Sequence, residues 1–92
     1  MNAGGYTIAW TTPARRALHR LPEKVATAAV EFAYGSLAAN PQRVGKQLSA
    51  DLAGLHSARR GDYRLIYRID DRKRRVEVLA IEHRADAYRS GR

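Results

Sequence analysis

Apolar and polar residues alternate at the start of the chain. Tyr6, Ile8 and Trp10 are separated by single residues, and this period of two predicts a short strand. Thr12 and Pro13 follow and predict the start of a helix, with Thr12 as the N-cap and Pro13 at the first helical position. The chain is therefore predicted to open with a strand that leads into a helix.

The pattern then changes to the three-and-four spacing of an amphipathic helix. Residues 13–21 carry one apolar face, and residues 23–39 carry a second one that ends at Asn40 and Pro41. Pro22 separates the two segments, so they are predicted to form a helical hairpin. The apolar positions are Ala14, Ala17, Leu18 and Leu21 in the first helix, and Val25, Ala26, Ala29, Val30, Phe32, Ala33 and Leu37 in the second.

The second half of the chain returns to a period of two. Residues 46–55 predict a loop with short extended pieces, and residues 62–69 predict the clearest strand. Residues 70–73 form a polar turn, and residues 76–81 return as a buried strand. The order of elements predicts an α+β fold, with a small antiparallel β-sheet and an N-terminal helical hairpin packed on one of its faces.

Length and composition exclude several classes of protein. One domain over residues 1–92 is expected, with residues 1–5 and 90–92 disordered, and a chain this short has no room for a large buried cofactor. The absence of cysteine excludes disulfides, thiolate metal sites and a thiol nucleophile. No apolar run reaches the ~20 residues that span a bilayer. A cytoplasmic protein with no cofactor and no membrane partner is predicted.

The balance of charges says more about the partner of the protein than its length does. The chain has 17 Lys and Arg against 9 Asp and Glu, which gives a net charge of +8. Residues 56–92 are densest in cations, and these cations are interleaved with apolar residues as in a folded element. A basic folded face favours contacts with phosphate groups, so a nucleic acid is the expected partner, and the alternative is a soluble domain that happens to be basic.

Arginines in the strand of residues 62–69 are the first candidates for such contacts. Arg64 and Arg68 lie on the face opposite its aromatic residues, Arg59 and Arg60 lie just upstream, and Arg84 follows the partner strand. A guanidinium group stays charged and binds phosphate through two parallel hydrogen bonds. The alternative is that these arginines only solvate the outer face of a half-buried sheet.

Histidine and tyrosine are the remaining groups for proton transfer. His83, beside Arg84 and near Tyr88, is the best placed of the three histidines for proton transfer. His56 lies near Gly54 and is either a loop residue or a site residue. Tyr88 lies in the polar tail, where it is free to stack on a base. The histidines show none of the spacings of a metal site, so no metal is predicted.

Three motifs together resemble the RelE branch of the RelE/ParE toxin superfamily. These are Gly-Lys-Gln-Leu at 45–48, the run 55–70 that contains Gly-Asp-Tyr-Arg, and Ile-Glu-His-Arg-Ala-Asp-Ala-Tyr at 81–88. With Leu-Pro-Glu-Lys at 21–24, the resemblance covers residues 6–89, nearly the whole chain. It implies a microbial-ribonuclease-like sheet with two helices, and a toxin component of a type II toxin–antitoxin system.

The resemblance also implies an activity and its partners. RelE members are ribosome-dependent endoribonucleases that cleave mRNA in the A site of the 70S ribosome and thereby inhibit translation. They need no metal, and a cognate antitoxin holds them inactive. The toxin–antitoxin complex is expected to bind its operator DNA through the antitoxin.

Roles for single residues follow from the same resemblance. Arg64 and Arg84 match the arginines that stabilise the phosphate, and Tyr88 matches the tyrosine that stacks on the base or assists the 2′-hydroxyl. With His83 for proton transfer, these four residues form the predicted catalytic set. The predicted RNA-binding residues are Arg59, Arg60, Lys46, Arg68 and His56. Family members have lysines or a glutamate upstream of Gly-Asp-Tyr-Arg where this chain has Leu-His-Ser-Ala, so the general base stays unassigned.

Two other functions fit the same residues. The ParE branch shares the fold, lacks the nuclease residues and poisons DNA gyrase, and a basic nucleic-acid-binding module without catalysis would also be rich in arginine. Arg64 together with Arg84 and Tyr88 favours the ribonuclease over the gyrase inhibitor.

Overall fold

The computed structural model describes residues 5–48 and 54–83 of the chain. The elements are β1 (Thr7–Trp10), α1 (Thr12–Arg20), α2 (Glu23–Phe32) with a π-helical continuation (Ala33–Leu37), α3 (Pro41–Val44), β2 (Lys46–Gln47), β3 (Leu55–Arg60), β4 (Tyr63–Asp70) and β5 (Arg75–His83). The predictions for Arg84, for Tyr88 and for disorder at the two ends concern residues outside the described ranges, apart from Gly5.

The five strands form one sheet in the order β1-β5-β4-β3-β2. Strands β2 to β5 pair antiparallel, whereas β1 pairs parallel with β5. The predicted α+β fold is confirmed, but the sheet is mixed because its first strand is parallel. Strands joined by a short turn are forced to run antiparallel, and no short turn joins β1 to β5.

The helices follow the predicted hairpin with two differences at their ends. The N-cap of α1 is Thr11 and not Thr12, since the Thr11 hydroxyl accepts a 3.3 Å hydrogen bond from the Ala14 amide. The second helix extends to residue 39 as predicted, through a π-helical turn around Gly35. Pro41 then begins α3, which the sequence pattern does not predict; proline suits a first helical position because it lacks the N–H.

The core lies between the helices and one face of the sheet. Helix α1 packs against β5 and α2 against β4. Tyr63, Leu65 and Tyr67 of β4 are buried while Arg64 and Arg68 are exposed, which confirms the predicted assignment of faces. The two faces are called the helix-facing side and the outer face below.

Strand β3 is the element that the pattern analysis misses. Of its six residues only Ala58 is buried, so no apolar alternation marks it in the sequence. It forms because its backbone pairs with β4 on one side and with β2 on the other. This strand carries Arg59 onto the outer face, next to β4.

Candidate nucleic-acid interface

A row of three charged residues crosses the outer face of the sheet. Arg59 of β3 lies opposite Arg64 of β4, and Arg64 lies opposite Glu82 of β5. Residues paired in this way project from the same face, with Cβ atoms about 4.5–5.5 Å apart. The pairing of strands therefore brings two guanidinium groups and a carboxylate into one line, the charged row.

Within the charged row, Arg64 and Glu82 are in direct contact. The Nε of Arg64 donates a 3.1 Å hydrogen bond to Oε1 of Glu82, and its Nη2 donates a second one to the same oxygen. Their side chains are 44% and 49% exposed, so solvent screens the pair. Exposed pairs contribute about 0–1 kcal/mol to stability. The contact therefore orients the guanidinium more than it stabilises the fold.

A second ion pair lies on the same face, further along the strands. Arg68 of β4 is opposite Glu77 of β5, and their charged groups are 3.6 Å apart. Leu55 of β3 completes this row, so here Arg68 has no cationic neighbour opposite it on β3. The two arginines of β4 therefore have similar acidic partners but different neighbours on the other side.

A groove of about 710 Å³ opens beside the charged row, toward α3 and β2. It is lined by Arg43, Val44, Gly45, Lys46, Gln47, Leu48, Ser57, Arg59 and Arg64. Four of these residues are cationic and none is acidic. Arg43, Lys46 and Arg59 form no ion pair with any other described residue. This cationic groove is suited to a polyanion, because three of its four cations have no acidic partner among the described residues.

A close contact between three elements builds the wall of the cationic groove. The hydroxyl of Tyr67, a fully buried residue, donates a 2.7 Å hydrogen bond to the carbonyl of Pro41 at the start of α3. Gly45 packs against this hydroxyl and against the carbonyl of Ser57, and a Cβ there would lie 2.3 Å and 2.7 Å from the two oxygens. Gly45 is therefore required for α3 and β2 to lie this close to β3 and β4.

Burial keeps Tyr67 a hydrogen-bond donor. Burial raises the pKa of Tyr67 to about 12, and the charge of Arg60 opposes the shift only in part. Burial likewise raises the pKa of Tyr63, again against the charge of Arg60. Both phenols are therefore neutral over the physiological range, and neither is available as a general base.

The structure brings only some of the predicted RNA-binding residues together. Lys46, Arg59 and Arg64 line the cationic groove. Arg68 lies on the outer face but is not among the residues that line the groove.

Three further predicted residues lie on the helix-facing side of the sheet. The guanidinium carbon of Arg60 is 4.3 Å from the centre of the Phe32 ring. His56 stacks on Tyr67 with ring centres 5.5 Å apart, and its Nδ1 is buried with no hydrogen-bond partner among the described residues. His83 is paired with Tyr63, at the end of β5. None of the three is on the face that carries Arg64.

Sequence reasoning missed Arg43, Gln47, Ser57 and Glu82 at this interface. Arg43 lies in α3, which has no apolar pattern of its own, and Ser57 lies in β3, the strand that the sequence pattern does not predict. Glu82 is recognisable as a partner of Arg64 only once the pairing of β4 with β5 is known. The described residues contain no group of three or more potential metal-ligating side chains, and none of their helices is long and apolar enough to cross a membrane.

Comparison with known protein families matches residues 8–88 to the ParE toxin of the type II toxin–antitoxin system parDE. The chain belongs to this toxin family. The toxin is also 57% identical over 84 residues to Toxin RelG of Mycobacterium tuberculosis, covering 91% of this chain and 97% of that one. Toxin RelE of the same organism is 57% identical over 84 residues, which cover 91% of this chain and 87% of the relative.

Solved structures agree with these matches. The toxin is similar to a chain in the crystal structure of a RelBE toxin–antitoxin complex from Mycobacterium tuberculosis, with a TM-score of 0.85 and 55% identity over 87% of this chain and 99% of that chain. An archaeal RelE–RelB complex from Pyrococcus horikoshii is also similar, with a TM-score of 0.69 and 26% identity over 87% of this chain and 96% of that one. The prediction of a RelE-type toxin of a type II toxin–antitoxin system is thereby confirmed.

Proposed function

We propose that this toxin is a metal-independent endoribonuclease that cleaves mRNA in the ribosomal A site and so inhibits translation. The observation that carries the proposal is the cationic groove, in which Arg59 and Arg64 are held side by side by the pairing of β3 with β4. The relatives named RelE and RelG support it, since RelE members of the superfamily that the sequence resembles cleave mRNA.

The cleavage is a transesterification within the RNA. The ribose 2′-hydroxyl gives up its proton as its oxygen attacks the adjacent phosphorus, the bond to the 5′-oxygen breaks and that oxygen takes up a proton, and the products are a 2′,3′-cyclic phosphate and a 5′-hydroxyl. Negative charge develops on the phosphorane, and Arg64 donates hydrogen bonds to it while Arg59 holds the neighbouring backbone. Fixed positive charge of this kind stabilises a transition state without a metal.

The remaining predicted catalytic residues enter as proposals. Arg84 directly follows β5 in the sequence and Tyr88 comes four residues later, and we assign them the second phosphate contact and the contact with the base. His83 is paired with Tyr63 on the helix-facing side, so Tyr88 is the better candidate for proton transfer at a phosphate bound to Arg64. The partners in this proposal are mRNA on the 70S ribosome and a cognate antitoxin that links the complex to operator DNA, all in the cytoplasm.

The decisive experiment compares arginine variants on ribosomes stalled with a defined mRNA codon in the A site. Arg64→Ala should lower cleavage by a factor of about 10²–10³, by analogy with removal of one donor from an oxyanion hole. Arg64→Lys should recover part of this loss, because an ammonium group cannot make the two parallel contacts. Arg15→Ala, which changes an exposed arginine of α1, is the matched control and should cleave like wild type.

Inhibition of DNA gyrase is the second candidate, because the matching family bears the ParE name. Wild-type toxin is therefore also incubated with gyrase and supercoiled DNA, and trapped double-strand breaks are measured. Breaks in DNA with intact mRNA would replace the ribonuclease proposal. Binding of RNA without cleavage of either substrate would identify a non-catalytic binding module.

A further inference from the structure

Glu82 is the one acidic residue of the charged row, and the predicted site does not include it. Both of its hydrogen bonds with Arg64 end on the same oxygen, one from Nε and one from Nη2. A guanidinium carries five N–H groups in a rigid plane. Glu82 therefore engages one edge of that plane and leaves the remaining N–H groups of Arg64 for another acceptor.

We propose that Glu82 is a positioning residue, which holds the guanidinium of Arg64 in the orientation that receives the phosphate of the RNA. The inference rests on the proposed ribonuclease function. Glu82 itself contacts Arg64 and is not among the residues that line the cationic groove.

The need for such a residue follows from the neighbour on the other side of Arg64. Arg59 lies directly opposite Arg64 on β3, and like charges in this position repel each other. A half-exposed arginine has many side-chain conformations, and repulsion would favour those that turn the guanidinium away from Arg59 and from the groove. Glu82 lies on the opposite side of Arg64, and its two hydrogen bonds fix the guanidinium in one conformation, in which Arg64 still lines the groove. The two cations can then remain close to the same phosphate.

The negative charge of Glu82 has a second effect, which opposes the first. A carboxylate beside the cationic groove weakens the attraction of the groove for RNA. Removing the charge should therefore tighten RNA binding, and removing the hydrogen bonds should slow cleavage. These two effects separate in the kinetics, since the first lowers KM and the second lowers kcat.

The test measures kcat and KM for cleavage of A-site mRNA by wild type, Glu82→Gln and Glu82→Ala. Both variants lose the charge, so KM should fall by a similar factor in both. The glutamine amide oxygen still accepts one neutral hydrogen bond, so kcat should fall in the order wild type, Glu82→Gln, Glu82→Ala, with a loss of about tenfold or more for alanine. Glu77→Gln is the matched control, because it removes the partner of Arg68 outside the cationic groove; its kcat should equal that of wild type.

An unchanged or increased kcat in Glu82→Ala would overturn the proposal, because Glu82 would then only repel RNA or block the site. A loss of kcat in Glu77→Gln equal to that in Glu82→Ala would also overturn it. The effect would then come from the charge of the whole outer face and not from the contact with Arg64. Wild type that cleaves nothing would count against the proposed ribonuclease function, which is a different outcome.

A measurement without substrate keeps the inference testable in that case. The ¹⁵N relaxation of the Arg64 Nε–H reports the order of the guanidinium on the picosecond to nanosecond timescale, with Arg64→Lys used to assign the signal. The order parameter should be high in wild type and in Glu77→Gln and should fall below about 0.6 in Glu82→Ala. Equal order in wild type and Glu82→Ala would show that Glu82 does not hold Arg64.

Discussion

Replacing Gly45 by alanine tests how the wall of the cationic groove is built. The new methyl group would lie 2.3 Å from the Tyr67 hydroxyl oxygen and 2.7 Å from the Ser57 carbonyl oxygen, both far inside van der Waals contact. The hydroxyl is buried and bonded to the Pro41 carbonyl, and the Ser57 carbonyl belongs to the backbone of β3. Neither atom can move without breaking a contact, so the substitution has to displace α3 and β2 from β3 and β4.

The size of the effect follows from the two displaced contacts. Forcing an extra methyl group into a packed site costs about 1–3 kcal/mol. Separating the Tyr67 hydroxyl from the Pro41 carbonyl leaves a buried polar group without a partner, which costs about 1–3 kcal/mol more. We expect Gly45→Ala to lower the free energy of unfolding by about 3 kcal/mol or more. For a domain of this length that corresponds to a fall in Tm of roughly 12–24 °C.

Urea and thermal unfolding of wild type and four variants check this reasoning. Gly35→Ala is the matched control: a Cβ at Gly35 meets nothing within 4 Å, so this variant should be as stable as wild type or more stable by about 0.5–1 kcal/mol. Tyr67→Phe removes the hydroxyl that the new methyl group strikes. The double variant Gly45→Ala/Tyr67→Phe should therefore lose less stability than the two single losses added together. A Gly45→Ala variant as stable as wild type, or strict additivity in the double variant, would refute the account.

Two further predictions concern the tyrosine and the helix cap. Burial raises the pKa of Tyr67 to about 12, above its value of 10.0 in an open chain, so the unfolded protein loses this proton first and stability falls as the pH rises from 10 toward 12. The difference in unfolding free energy between wild type and Tyr67→Phe should hence shrink above pH 10 in urea titrations, and parallel curves would contradict the shift. Thr11→Val should lower stability by about 0.5–2 kcal/mol, because it removes both the cap of Ala14 and the contacts with the carbonyls of Val78 and Leu79. Thr11→Ser should retain most of that stability in the same assay, and an equal loss in both would assign the effect to the methyl group.

The parts of the fold that the sequence predicts well are those with one continuous apolar face. Strand β4 alternates without interruption from Tyr63 to Ile69, and helix α1 buries Ala14 and Ala17 at helical spacing, so both are recognised from the pattern. Strand β3 buries only Ala58 and is held by backbone pairing with its two neighbours. A pattern of side chains carries no signal for an element of this kind.

The lack of an apolar pattern in β3 also explains why Arg59 and Arg60 of the candidate site are not told apart. Arg59 and Arg60 are consecutive, and sequence reasoning assigns both to RNA. In a strand, consecutive side chains project to opposite faces. Arg59 therefore joins the charged row while Arg60 lies on Phe32 on the helix-facing side. Recognising residues 55–60 as a strand would have separated the two arginines from sequence alone.

The pairing of Arg64 with Glu82 depends on an irregularity that no alternation predicts. Glu77 and Glu82 are five residues apart, a spacing that puts two side chains on opposite faces of a regular strand. The register shifts by one residue between Ile66 and Tyr67 of β4, where Leu79 of β5 is left without a partner. This β-bulge brings both glutamates to the outer face, each opposite an arginine of β4.

The bulge is also the place where β5 meets the first helix. The Thr11 hydroxyl, which caps α1, lies 3.2 Å and 3.1 Å from the carbonyl oxygens of Val78 and Leu79 at the extra residue. Without the extra residue, regular pairing continued from Tyr67 and Val78 would place Arg64 opposite Ile81, an apolar partner that cannot orient a guanidinium. The Thr11 cap thus contacts the bulge, and the bulge places Glu82 opposite Arg64. The N-terminal helix is in this way connected to the residue that orients Arg64 in the cationic groove.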